Sequence, residues 1–392
     1  MSNLFDYLAW RGDLEFTRDG FNIVDSLILC RLSYLPFGGI LPEEDSDDAV
    51  LLSEAARQFT AISAKKNSKI NDEIILKEDP RFLAELGKTK RFGGLRLSRY
   101  VNIIDIEEEK QFSAVTIMGD GILPYISFRG TDNTLVGWKE DFNMSFMDSI
   151  PSQLEAVEYL EKTAAALRGR FRVGGHSKGG NLAVYASSFS RPKTQRRIPE
   201  IYNFDGPGFN EKIIASAGYN AVRDRIQTYL PQSSVIGMLF EHENNYTVVR
   251  STQSGLMQHD MYSWEILGND LIRLNSVDNN SKFVDKTLKH WIDSLEPSQR
   301  REFSDGLYEL LCSTDAKTVP ELSASWVKKM GAMIKTISDV DDATRKRLMD
   351  IIHALFRSAR ENIKELWPRE KKDSEKENSP EQSKEETRQP RG

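Results

Sequence analysis

Cysteine is almost missing from this chain: Cys30 and Cys312 are the two in 392 residues. They lie too far apart for a CxxC or Cys/His metal-ligand spacing, so a zinc or redox motif is excluded and two reduced, inert thiols are the expected state. A surplus of positive charge is also missing. Lys and Arg number 53 against 59 Asp and Glu, a net charge of -6, which argues against the basic surface of a nucleic-acid binder. No stretch approaches the ~18 uninterrupted apolar residues of a membrane span. The most apolar early run, 21–30, is broken by Asn22 and Asp25, and no integral membrane segment is expected. Met1-Ser2-Asn3-Leu4-Phe5-Asp6-Tyr7 lacks a basic segment followed by an apolar one. No signal peptide is therefore expected, and the expected location is the cytoplasm.

What is present divides by composition. Hydrophobic residues at 39% and charged residues at 29% fit a globular core with a polar appendage. Residues 1–270 mix strand and helix signals. Residues 275–367 read as helix only, with Leu348, Met349, Ile351, Ile352, Leu355 and Phe356 at helical spacing. This extension is expected to pack on the first region or on a second protomer, which would make a homo-oligomer. Residues 369–392 carry no aliphatic or aromatic side chain. Such a tail buries too little apolar surface to offset its ordering entropy, so disorder is expected there.

Within the first region, Ala114–Met118 and Tyr125–Phe128 flank the turn signal Gly119-Asp120-Gly121 and predict a hairpin-like pair. Further β-rich runs are Phe171–Val173, Ile201–Phe204, Arg225–Leu230 and Asn245–Arg250. Helical patterns fall between them at Ser152–Leu167 and Asn181–Ser188. Alternating strand and helix predicts an α/β domain with a mainly parallel sheet covered by helices.

Gly175-His176-Ser177-Lys178-Gly179 matches the nucleophile elbow G-x-S-x-G between a strand and a helix. A serine there sits on a strained turn with its hydroxyl above the sheet, and the flanking glycines let strand and helix approach. A glycine-rich phosphate loop is the competing reading, but GxxxxGK[ST] is absent. Ser177 is thus the candidate nucleophile, and the Lys178 N–H, at the start of the following helix, one oxyanion donor.

A base is needed downstream. His259, in the loop after the last strand run, fits best. His242 precedes that run, His290 and His353 fall in the helical region, and His176 is expected to pack beside the turn. For the acid, the strand end Tyr229-Leu230-Pro231-Gln232-Ser233-Ser234 has serines and no carboxylate. Asp205, in the sharp strand exit Asn203-Phe204-Asp205-Gly206-Pro207-Gly208, is the alternative. It competes with a turn-capping role, and Glu241 and Asp260 remain open. Thr131, after the strand end Phe128-Arg129-Gly130, is the candidate second oxyanion donor through its N–H and hydroxyl.

Tyr125–Asp141, with Phe128-Arg129-Gly130-Thr131 and Trp138-Lys139-Glu140-Asp141, resembles the strand, oxyanion loop and lid start of class 3 (fungal-type) lipases. Four segments together resemble the bacterial Mbeg-like family related to those lipases. They are Asp6-Tyr7-Leu8-Ala9-Trp10-Arg11-Gly12-Asp13, Gly175–Ala183, Asn203–Phe209 and Gln258-His259-Asp260. The resemblance spans roughly 1–270. It implies an α/β-hydrolase fold, a Ser177/His259 pair, an oxyanion residue at Thr131 and a lid over 132–150. Class 3 lipases carry their acid where this chain has Ser233-Ser234, whereas Asp205 resembles the acid position of pancreatic-type lipases.

The expectation is a serine esterase or lipase-like hydrolase acting on a small-molecule acyl ester or lipid, thioesters included, with no metal or organic cofactor. A catalytically weak hydrolase fold used for binding or scaffolding is the alternative, favoured by the missing acid at the usual position.

Overall fold

The computed structural model describes residues 2–277 except 47, 66–68, 133, 145–146, 235 and 239–245, together with 301, 304 and 305. Glu241, His242, His290, His353, Cys312, the charged tail and nearly all of the helical extension lie outside the described residues, as does the oligomerisation expected of that extension.

Eleven strands occur in chain order among the described residues. They are β1 (Val50–Leu51), β2 (Arg96–Asp105), β3 (Lys110–Met118), β4 (Tyr125–Phe128), β5 (Arg172–His176) and β6 (Ile201–Phe204), then β7 (Ile226–Pro231), β8 (Tyr246–Val249), β9 (Ile266–Leu267), β10 (Asp270–Leu271) and β11 (Arg273–Leu274). Nine of them form one sheet in the order β1-β2-β3-β4-β5-β6-β7-β8-β11, and β9 and β10 pair separately.

The architecture is α/β, but the sheet is mixed rather than mainly parallel. β4 through β8 run parallel, while β1–β4 and the β8–β11 pair are antiparallel. The reason lies in the connections. β2 joins β3 through residues 106–109, and β3 joins β4 across the turn at Gly121, whose φ is +81°. Links this short permit only antiparallel neighbours. The β4–β5, β5–β6 and β6–β7 links carry helices and return the chain in the same direction.

Helices cover both faces. α1 (Leu4–Arg11), α2 (Ile23–Leu32), α3 (Leu52–Ser63), α4 (Lys69–Glu73) and α5 (Asp79–Leu86) precede the long hairpin. α6 (Leu135–Asn143), α7 (Pro151–Ala166) and α8 (Lys178–Phe189) follow β4. The alternation of side chains along each strand assigns the two cores. Phe112 and Ala114 of β3, with Ile126 and Phe128 of β4, pack against α7 and α8. Val115 and Ile117 of β3, with Tyr125 of β4 and Tyr202 and Phe204 of β6, pack against the N-terminal helices. Rings stack in a row from Tyr125 of β4, over the side-chain-free Gly174 of β5, to Tyr202 of β6, then along β6 to Phe204 and across to Tyr229 of β7, with centroids 5.5–6.2 Å apart. Each such pair adds about 0.5–1.5 kcal/mol beyond area burial, and Phe204 with Tyr229, directly opposite on β6 and β7, supports the register of those two strands.

Two buried ion pairs seat the N-terminal layer. Asp25, which also closes the capping box of α2 with Asn22, accepts Arg91 Nε at 2.8 Å and the Tyr7 hydroxyl at 2.8 Å. Arg31 of α2 donates from Nε to Asp79 of α5 at 2.8 Å, and the Tyr262 hydroxyl joins Asp79 at 2.9 Å. The second pair matters for the site, because Tyr262 lies three residues beyond His259.

No helix among the described residues is long and apolar enough to cross a membrane.

Candidate active site

The carboxyl ends of the parallel strands converge on one edge of the sheet, where open α/β sheets place their ligands. Ser177 follows β5 at φ +59° and ψ -136°, a strained backbone for a residue with a side chain. Its neighbours explain how the strain is held. A Cβ on Gly175 would lie 2.2 Å from the Gly179 carbonyl, and one on Gly179 would lie 2.2 Å from the Phe128 oxygen. Only glycine fits at either position, so strand, turn and helix close on one another, and the Ser177 N–H is held by the Phe204 carbonyl at 2.8 Å.

Asp205 leaves β6 at φ +50°. The capping role open to it belongs to Asn203, whose Oδ1 accepts the Gly206 N–H at 3.0 Å. The Asp205 carboxylate turns to the neighbouring strand ends instead. Its Oδ2 lies 2.6 Å from His259 Nδ1, and its Oδ1 accepts the Ser234 hydroxyl, which in turn accepts the Gly237 N–H at 3.0 Å. Asp205 is 1% exposed and His259 28%. The carboxylate is therefore dry and the imidazole reachable, an arrangement that strengthens a charge-assisted hydrogen bond. Of the other acid candidates, Asp260 uses Oδ1 to cap Tyr262 N–H at 2.9 Å.

The His259 loop is held from several sides. Trp264 Nε1 donates to the Gln258 carbonyl at 2.8 Å, and the Ser233 N–H donates to Gln258 Oε1 at 3.0 Å. His176, inside the elbow, is buried. Its Nε2 faces the His259 carbonyl at 2.8 Å, so Nε2 bears the proton, and Nδ1 accepts the Tyr34 hydroxyl at 2.8 Å. Burial, reinforced by the nearby charges of His259 and Arg31, pushes its pKa well below the ordinary imidazole value. His176 is thus a neutral strut between the Ser177 turn and the His259 loop. The packing role expected of it in the sequence is specific: it ties Ser177's neighbour to the backbone of His259.

The loop after β4 passes directly over the turn. A Cβ on Gly130 would lie 2.8 Å from Ser177 Cβ. Thr131 follows, but its hydroxyl donates to Asp141 Oδ2 at 2.6 Å. Of the two donors expected of Thr131, the hydroxyl is therefore committed to Asp141. Arg129 pairs with Asp132 at 3.1 Å.

Burial pushes the Asp141 carboxyl up to about 6, against the opposing pull of Lys178 and of the Thr131 hydrogen bond. A carboxyl raised in the fold stabilises it fully below the ordinary 3.8 and loses that contribution as pH rises through about 6. Asp141→Asn removes the ionisation. The melting temperature of Asp141→Asn minus that of the parent is expected to become more positive between about pH 4 and pH 7. A difference that stays level or shrinks in matched thermal melts would contradict the assignment.

Sequence reasoning missed Tyr34, Ser234's support of Asp205, Glu140 and Asp141. Ser234 was visible only as a missing carboxylate. Among the described residues, no cluster of three or more His, Cys, Asp or Glu could hold a metal ion.

Residues 86–309, more than half the chain, match the Mbeg1-like family. The chain belongs to this family. No curated protein sequence matches it. Among solved structures this Mbeg1-like chain is similar to M37 lipase, with 17% identity over 56% of this chain and 71% of that one at a TM-score of 0.35. It is also similar to Rhizomucor miehei lipase in its propeptide complex (15% identity, 59% and 68% covered, TM-score 0.34). A third similar structure is the lipase from Rhizopus microsporus var. chinensis (15% identity, 63% and 91% covered, TM-score 0.32).

Proposed function

We propose that this Mbeg1-like chain is a serine hydrolase of the α/β-hydrolase fold that cleaves carboxylic esters, thioesters included, through an acyl-enzyme on Ser177. The observation that carries the reading is the His259 Nδ1 to Asp205 Oδ2 contact of 2.6 Å, on strand-end loops beside a strained serine turn.

The chemistry follows from that arrangement. Ser177 Oγ attacks the acyl carbonyl while His259 Nε2 takes its proton. Asp205 keeps the other proton on Nδ1 and stabilises the imidazolium. The N–H groups of Lys178 and Thr131 receive the developing oxyanion. Collapse expels the alcohol or thiol, protonated by His259. Water then attacks the acyl-enzyme with His259 again as base, releasing the acid and restoring Ser177. The binding-only reading rested on the lack of a carboxylate at 233–234, and Asp205 supplies one from the neighbouring strand.

The test is transient kinetics with p-nitrophenyl butyrate. The expected result is hydrolysis through an acylated Ser177, with a burst of one p-nitrophenol per site where deacylation is slow. Absence of any ester turnover and of any acylated Ser177 in quenched samples would remove the proposal.

A further inference from the structure

The residue after the candidate nucleophile is a lysine whose ammonium turns inward. Lys178 Nζ lies 2.6 Å from Glu140 Oε2 and donates to the Gln111 carbonyl at 2.9 Å. The two side chains are 1% and 0% exposed. The same carboxylate accepts the Gln111 N–H on Oε2 at 3.1 Å and the Ser152 N–H on Oε1 at 2.9 Å. One buried carboxylate thus joins α6, which carries it, to β3, to the first turn of α7 and to the residue following Ser177.

Glu140 also stands beside Asp141 in α6, the residue that holds the Thr131 hydroxyl at 2.6 Å. The two oxyanion donors are therefore connected behind the site: Lys178 to Glu140, Glu140 along α6 to Asp141, and Asp141 to Thr131. If α6 lifted, an ammonium and a carboxylate would lose each other, and the Gln111 and Ser152 N–H groups would lose their acceptor. Separating a buried pair is strongly unfavourable because each charge is left uncompensated. An apolar residue at 178 and a solvated one at 140 would impose no such restraint.

We infer that the Lys178–Glu140 pair clamps α6 so that the oxyanion site is assembled before substrate arrives, and that the enzyme takes dissolved, monomeric esters without activation at a lipid–water interface. This rests on the hydrolase reading above. Lys178 and Glu140 act in it as positioning residues through their side chains.

Two kinds of measurement on the full chain, kinetic and structural, test the inference. The first is tributyrin hydrolysis followed across the solubility limit. The expected curve saturates smoothly, and a several-fold rise as the emulsion forms would overturn the inference. Glu140→Gln is expected to lower kcat per phosphonate-titrated site by about tenfold or more while KM stays nearly constant. Unchanged kcat per site would also count against it, because a merely structural residue would change the number of sites instead. The second measurement needs no turnover: amide hydrogen exchange over residues 135–143, with and without Triton X-100 micelles. Slow exchange that micelles leave unchanged, and that Glu140→Gln accelerates, is the expected result. Fast exchange in the parent, or opening by micelles, would refute the clamp. If no ester is cleaved, the hydrolase reading fails while exchange still decides whether α6 is fixed.

Discussion

Ser177→Ala is expected to lower kcat toward short p-nitrophenyl esters by about a million-fold, leaving only the residual acceleration of the oxyanion donors and the binding surface. The expectation comes from the turn itself. Ser177 occupies φ +59° although a side chain disfavours it, and Gly175 and Gly179 are packed so tightly that no other residue fits. Strain of this kind persists where surrounding structure overdetermines it and where it serves a purpose. Alanine keeps the Cβ and the same backbone, so the fold is expected to hold. Steady-state rates with a matched melting curve check the result, and retention of parental activity in a folded variant would exclude Ser177 as nucleophile.

Asp205→Asn is expected to cost about ten-thousand-fold in kcat without loss of the fold, the scale seen when a triad acid becomes an amide. The surroundings of Asp205 give a reason specific to this chain. Ser234 donates its hydroxyl to Oδ1, and His259 Nδ1 lies at Oδ2. An asparagine would keep its oxygen toward the Ser234 hydroxyl and turn its NH2 toward His259. Nδ1 would then accept, Nε2 would carry the proton, and the imidazole could not take one from Ser177. Stopped-flow or steady-state turnover at neutral pH measures the loss. A decrease of less than about tenfold would mean that Asp205 is not the partner the reaction uses.

The part of this site that was legible in sequence is the part written into local backbone demands. Gly175, Gly179 and the breaker Asp205-Gly206-Pro207-Gly208 mark turns that few residues can make, and β-rich runs ahead of them placed those turns at strand ends. His259 followed from chain order. In the antiparallel half of the sheet the β3–β4 pair was legible from the turn at Gly119-Asp120-Gly121, whereas β2, long and only half buried, was not. The N-terminal layer was hidden for a different reason. α2 is buried nearly all round, so no polar face marked its orientation, and nothing near Tyr34 or Arg31 indicates that they brace His176 and the loop beyond His259. Lys178 and Glu140 are 38 positions apart. Their pairing is a property of tertiary packing, and at sequence level each reads as an ordinary solvated charge.

The most direct test of the central claim is a fluorophosphonate adduct located by peptide mass spectrometry. One phosphonate per chain is expected on Ser177, with no labelling in Ser177→Ala and much slower labelling in His259→Ala. A folded protein that stays unlabelled, or that carries the adduct on another residue with Ser177 unmodified, would contradict it.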